Sequence, residues 1–320
     1  MFSVGVIALL APGQGAQTPG MLAPWLELDG VEQRLSSWST TTGLDLVRLG
    51  TTADADEIKD TAVTQPLIVA LSLVAAEQLA KRAELPAGTP VAGHSIGEFA
   101  AAAVAGTFGF DDAVSLAAVR GREMAGACAL EPTGMSAVLG GDPEAVVTHL
   151  DHLGLEPANR NGAGQIVAAG RLPALEELAS DPPEGARVRP LPVAGAFHTR
   201  FMAPAEEALG RHAEKVAPAD PALPLLSNAD GAVVSDGDEV LRRLVAGVTK
   251  PVRWDSCMAT LAARGASTVV ELPPAKTLTG LVRKELDDTK TVALKTPDDL
   301  DKVAELLGGS GEGETPRSAS

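Results

Sequence analysis

Residues 91–106, VAGHSIGEFAAAAVAG, put a serine between two glycines where a short apolar extended run turns into an alanine-rich helix. A strand that turns this sharply into a helix belongs to an α/β arrangement, with helices packed on a mostly parallel sheet. Gly93 and Gly97 remove the side chains that would crowd such a turn. The pentapeptide has two readings. As structure, it is a tight turn, which a chain with 33 glycines can produce by chance. As chemistry, it lifts a hydroxyl clear of the backbone and aims helix N-terminal N–H groups at a developing oxyanion. A serine hydroxyl is a poor nucleophile until a base takes its proton, so the chemical reading requires a partner from another element.

The flanking sequence extends the α/β pattern. Val4 to Ala11 is a continuous apolar run ending in Pro-Gly-Gln-Gly, which suits a strand buried on both faces. This apolar N-terminus lacks a basic flank and reads as a first strand rather than a signal peptide. Helices are expected over 65–82, 97–106 and 111–127, and a strand over 90–93. From residue 134 the order becomes strand 134–140, helix 142–153, strand 165–170, helix 172–179 and strand 187–193. That β-α-β-α-β order marks a small α+β unit inserted into a larger domain. The larger pattern then returns, with helices over 199–216, 238–246, 256–264, 277–286 and 300–307 and strands over 223–227 and 268–271. The Gly/Ser-rich segment 308–320 is expected to be disordered.

Composition removes several function classes. The net charge of −16, with 3% aromatic residues and no tyrosine, argues against a nucleic-acid partner. The longest apolar runs, such as LIVALSLVAA, are about ten residues against the roughly 18 of a membrane span, so no membrane partner is expected. Cys128 and Cys257 have neither metal nor disulfide spacing, which fits a reducing cytoplasm.

Five histidines compete for the role of base. His94 is adjacent to Ser95 and is expected to face elsewhere. His149 and His152 stand at i, i+3 without a supporting carboxylate or cysteine cluster, and read as surface rather than metal ligands. His212, among charged residues, reads as solvated. His198, in VAGAFHTRFM, lies in a loop between an apolar strand and a helix; it reads either as a packing or capping histidine or as the base.

An ordered set of motifs carries a family likeness. Pro12-Gly13-Gln14-Gly15-Ala16-Gln17, Thr64-Gln65-Pro66, Gly93-His94-Ser95-Ile96-Gly97-Glu98 and Arg120-Gly121 occur in turn. Asn159, Asn161 and Gly164-Gln165 follow, then Ala196-Phe197-His198 and Pro251-Val252-Arg253-Trp254. Over residues 4 to 300 the chain resembles the malonyl-CoA:acyl-carrier-protein transacylases and the acyltransferase domains of polyketide synthases. The architecture implied is a large α/β-hydrolase-like domain of residues 1–128 and 197–307. It carries an inserted ferredoxin-like α+β subdomain at 129–196.

The resemblance implies roles. Ser95 would be the nucleophile that carries the malonyl ester, and His198 its general base and acid. Backbone N–H groups of Gln14 and Ile96 would form the oxyanion hole. Arg120 would grip the free malonate carboxylate, Phe197 would limit room for an α-methyl group, and Asn159 and Asn161 would line the substrate site. The carbonyl that orients the histidine would come from Gly247, where relatives often carry glutamine. Leu272-Pro273-Pro274-Ala275 also departs from the family's EVGPGK pattern. No bound cofactor or metal is implied. Malonyl-CoA is the substrate, and phosphopantetheine arrives on an acyl carrier protein of fatty-acid or polyketide synthesis. The protein is expected to be a cytoplasmic monomer. Candidate basic pairs for receiving the acidic carrier are Arg120/Arg122, Arg187/Arg189, Lys250/Arg253 and Arg283/Lys284. Two rivals stand beside this reading. A plain serine esterase should carry an acidic triad partner between Ser95 and His198, where only Asp142, Asp151 and similar aspartates occur outside any such loop phrase. A non-catalytic carrier-binding protein would have no use for the Ser95–His198–Arg120 set.

Overall fold

A computed structural model describes residues 5–309. The first segment runs β1 (Val6–Ala11), α1 (Val31–Thr42), α2 (Leu46–Thr51), α3 (Thr61–Ala80), β2 (Val91–Gly93), α4 (Gly97–Val104) and α5 (Phe110–Cys128). The second runs β3 (Thr133–Gly140), α6 (Pro143–His152), β4 (Glu156–Gly162), β5 (Gln165–Arg171), α7 (Leu172–Ser180) and β6 (Ala186–Pro190). The third runs α8 (Ala203–Ala213), β7 (Leu225–Leu226), β8 (Val233–Val234), α9 (Gly237–Ala246), β9 (Val252–Arg253) and α10 (Trp254–Ala263). It closes with β10 (Ala266–Glu271), α11 (Thr277–Glu285), β11 (Lys290–Ala293) and α12 (Leu300–Gly309).

The apolar run VIALLA becomes the inner strand β1 of a six-stranded sheet, ordered β11-β10-β1-β2-β7-β8. Its pairings are parallel except for β7 with β8. Helices cover both faces, so β1 is buried along almost its whole length. With few aromatics, this core is built from Ala, Val and Leu; Ala100, Ala101 and Ala102 of α4 have no exposed surface. Small side chains let α4 sit close over β1 and β2. Helix α3, as a whole, is long and apolar enough to cross a membrane, which corrects the expectation of apolar runs of about ten residues. In the fold it is a core helix, packed against α1, α4, α5 and α12, with most of its apolar stretch buried.

The second sheet is ordered β6-β3-β5-β4-β9. Strands β3, β4, β5 and β6 pair antiparallel, and β9 joins the edge parallel to β4. The element order of this unit is therefore β-α-β-β-α-β rather than the expected β-α-β-α-β. Strand β4, EPANRNG, reads as loop because Pro, Asn and Gly are poor strand formers. It pairs with two register irregularities, between Pro157 and Asn159 and between Arg160 and Gly162.

Other differences have local causes. The strand expected to 193 ends at Pro190. The helix expected from 199 begins at Ala203 after a short 3₁₀ turn, because Pro204 cannot donate the backbone bond that would continue a helix upstream. Helix α1 has weak intrinsic propensity, yet Val31, Leu35 and Trp38 form its buried face, and the Trp38 indole donates to Asp111 at 2.7 Å. Of the tail expected to be disordered, residues 308 and 309 close α12, and residues 310–320 lie outside the described residues.

Candidate active site

Strands β1 and β2 end side by side, with Ala11 opposite Gly93, and the site forms just beyond them at the carboxyl edge of the sheet. The two glycines of the turn have no substitute. A Cβ at Gly93 would lie 2.0 Å from the Gly97 carbonyl carbon, and one at Gly97 would lie 2.2 Å from the Ala11 oxygen. Ser95 between them adopts a left-handed φ of 54°, rare for a side chain other than glycine.

His198 comes from the loop before α8, and it too has a left-handed φ, of 59°. Its Nε2 lies 2.7 Å from Ser95 Oγ and its Nδ1 lies 2.7 Å from the Gly247 carbonyl oxygen. A carbonyl only accepts, so Nδ1 carries the hydrogen and Nε2 is left with a lone pair facing the serine hydroxyl. His198 is 4% exposed. Burial, helped by the nearby Arg120 cation, pushes its pKa down to about 3, which keeps the imidazole neutral near pH 7.

Arg120 projects from α5 towards Ser95 and is 2% exposed. Its Nη1 donates to Gln65 Oε1 at 2.7 Å, and Nη2 reaches Ser95 Oγ at 3.3 Å. Its Nε is buried without a partner among the described residues. Burial lowers its pKa to about 10, so it remains a cation near neutral pH. A buried guanidinium with an unused donor beside the serine is chemically suited to pair with an anion.

A cavity of about 270 Å³ opens over Ser95 and His198. Gln14, Phe197, Asn159 and Asn161 line it; Arg120, Ile96 and Gly247 are not among its lining residues. The Ile96 and Gln14 main-chain N–H groups have no internal acceptor among the hydrogen bonds of the described residues. Three residues of the site escaped sequence reasoning. Gln65, quoted above only as part of a motif, orients Arg120. Asn228 bonds the backbone of the turn. His94, expected to face elsewhere, lines the same cavity, with Nε2 2.9 Å from Asn161 Oδ1 and its ring edge-on to Trp254. His212 also departs from expectation, being half-buried with Nε2 3.0 Å from Ser115 Oγ. No group of three or more His, Cys, Asp or Glu side chains among the described residues is placed to hold a metal ion.

The glycine-pinned serine turn at the head of a parallel sheet, with a neutral imidazole and a buried guanidinium, is the kind of site that moves acyl groups. Residues 9–308 match the model of the acyl transferase domain, and the chain belongs to that family. Among curated relatives, the malonyl CoA-acyl carrier protein transacylase of Mycobacterium tuberculosis (strain ATCC 25618 / H37Rv) is 58% identical over 303 residues, 94% of this chain and 100% of the relative. The crystal structure of MCAT from Mycobacterium tuberculosis superposes with a TM-score of 0.90 at 56% identity, covering 93% of this chain and 99% of that one. A malonyl-transacylase solved in complex with its type II PKS acyl-carrier protein matches with a TM-score of 0.87 at 28% identity, covering 94% and 99%.

Proposed function

We propose that this protein moves the malonyl group from malonyl-CoA to the phosphopantetheine thiol of an acyl carrier protein through an ester on Ser95. The observation that carries this reading is a pair of contacts at the turn: imidazole and guanidinium both within hydrogen-bonding distance of one serine oxygen. His198 Nε2 takes the Ser95 proton as Oγ attacks the thioester carbonyl. The oxyanion is received by the Gln14 and Ile96 N–H groups. The C–S bond breaks, and the departing CoA sulfur takes the proton from His198. In the second half the carrier thiol gives its proton to His198 and attacks the ester, and Ser95 leaves with that proton. Arg120 pairs with the malonate carboxylate throughout. Incubation with malonyl-CoA followed by intact and peptide mass spectrometry should give one malonyl adduct, on Ser95, and Ser95→Ala should give none. An adduct on another residue overturns the assignment.

Phe197, buried against the cavity, restricts space next to the acyl α-carbon. Phe197→Ser should raise methylmalonyl use relative to malonyl by roughly tenfold, since one methyl in a pocket is worth about 1–3 kcal/mol. Competition kinetics on mixed thioesters read the ratio directly.

Of the candidate basic pairs, Arg253 is paired with Asp255 and Arg122 with Glu123. Arg187 and Lys284 are exposed and form no ion pair among the described residues. Both border a second cavity of about 330 Å³ that shares Gln165 and Leu281 with the catalytic one. This supports the mouth between the smaller sheet and α11 as the place where an acidic carrier docks. Reversing both charges to Glu should slow transfer to the carrier about tenfold while sparing serine malonylation by malonyl-CoA. An unchanged carrier rate overturns the docking assignment.

The architecture is read as an α/β-hydrolase-like domain of residues 1–128 and 197–307 bearing a ferredoxin-like subdomain at 129–196, which the β-α-β-β-α-β order supports. The large exposed hydrophobic side chains among the described residues are few, Leu130, Leu172 and Val233, which favours a monomer. The free cysteines suit a reducing cytoplasm.

A further inference from the structure

The serine turn is held by a residue that belongs to none of its motifs. Asn228, just after β7, is 4% exposed. Its Oδ1 accepts from the Ser95 N–H at 2.8 Å, and its Nδ2 donates to the Gly93 carbonyl at 2.7 Å. Which end is oxygen follows from the partners, since an amide N–H only donates and a carbonyl only accepts. These two groups belong to the peptide units on either side of the His94 Cα, so one planar side chain fixes both. Asn228 is itself held by its main chain. Its N–H donates to Glu98 Oε1 at 2.7 Å, and its carbonyl accepts from the Arg253 N–H at 2.7 Å. Glu98 lies on the first turn of α4, directly after the serine turn. The clamp is therefore reciprocal: the Glu98 side chain fixes the Asn228 backbone, and the Asn228 side chain fixes the backbone around Ser95. Burial pushes the Glu98 carboxyl up to about 8, so near neutral pH it is mostly uncharged and still accepts the bond.

Two consequences bear on acyl transfer. A non-glycine residue at φ 54° is strained and persists only where its surroundings over-determine it; both Asn228 bonds act on that backbone. Asn228 also occupies the Ser95 N–H, whereas the next amide, Ile96, has no internal acceptor among the described residues. The side chain thus leaves the Ile96 amide, not the Ser95 amide, free to donate to the thioester carbonyl oxygen. We propose that Asn228 is a positioning residue for acyl transfer, locking the turn so that Ser95 Oγ and the Ile96 N–H meet the thioester together, with Glu98 locking Asn228. The proposal rests on the Ser95 ester reading above.

Single-turnover malonylation, followed by intact mass on the full chain, tests it together with the KM for malonyl-CoA and the melting temperature. Asn228→Ala should slow Ser95 acylation about 100-fold, the cost of slight misplacement of reacting groups, with little change in KM. Asn228→Asp keeps the acceptor for Ser95 but cannot donate to Gly93, and should fall between. Glu98→Gln, which still accepts from Asn228, should recover most of what Glu98→Ala loses. Should Asn228→Ala not fold, the Asn228→Asp rate and the Glu98 pair decide. Folded Asn228→Ala acylating at the wild-type rate overturns the proposal, as does a loss confined to KM or matched by the unfolded fraction. A wild-type protein that forms no Ser95 adduct overturns the underlying reading instead.

Discussion

Replacing His198 with alanine should lower the rate of Ser95 acylation by about 10²–10⁴-fold, the usual share of a positioned general base. The geometry gives the reason. The Gly247 carbonyl holds the hydrogen on Nδ1, which leaves Nε2 as the acceptor 2.7 Å from the serine oxygen. The substitution also removes the donor to the part-buried Gly247 carbonyl, so the rate is to be read on protein shown to be folded by circular dichroism. The wild-type pH profile provides a second check. Burial first, and Arg120 second, depress the His198 pKa to about 3, so the acid limb of acylation should lie well below the ordinary histidine value of 6.5. Stability carries the same signature. Between about 3 and 6.5 the unfolded chain binds a proton at this residue that the folded chain does not. The stability held above pH 6.5 is therefore lost as pH falls towards 3, and denaturant melts of His198→Ala should show a shallower decline. An acid limb at the ordinary histidine pKa would count against the buried neutral imidazole.

Arg120→Ala should reduce malonyl transfer by roughly 10- to 150-fold, the loss of about 1.5–3 kcal/mol expected for hydrogen bonds to a charged group. The loss should be selective. A neutral acyl thioester has no carboxylate to meet the guanidinium, so its transfer should be unchanged or faster. Lysine should rescue poorly, because it cannot reproduce the planar fork that reaches Gln65, Ser95 and the anion together. Removing the cation should also let the His198 pKa rise, moving the acid limb upward. A plain esterase would treat charged and neutral acyl groups alike, so equal losses on both substrates would favour that rival.

Some of this was legible in the residues themselves. The glycines around Ser95 announce a close backbone approach, and VIALLA announces a strand covered on both faces. The histidine partner was not legible from spacing, because 103 residues separate it from the serine. Ordered motifs pointed to His198, Arg120 and Gln14 as implied members of one site, without saying how they meet. His94 and His212 were misjudged for one reason: exposure is a property of what packs against a side chain, and neighbours in sequence do not reveal it. Strand β4 was missed because its partner strand, rather than its own propensity, holds it extended.

Local chemistry written into the chain therefore decided the serine turn, the parallel-sheet class and the capacity for acyl chemistry, since glycine sterics and apolar periodicity act over a few residues. Tertiary structure alone decided the neutral state of His198, the unpaired Nε of Arg120 and the grip of Asn228 on the turn. Each of these depends on desolvation and on bonds between segments far apart in the chain, and those arise only once the segments are packed together.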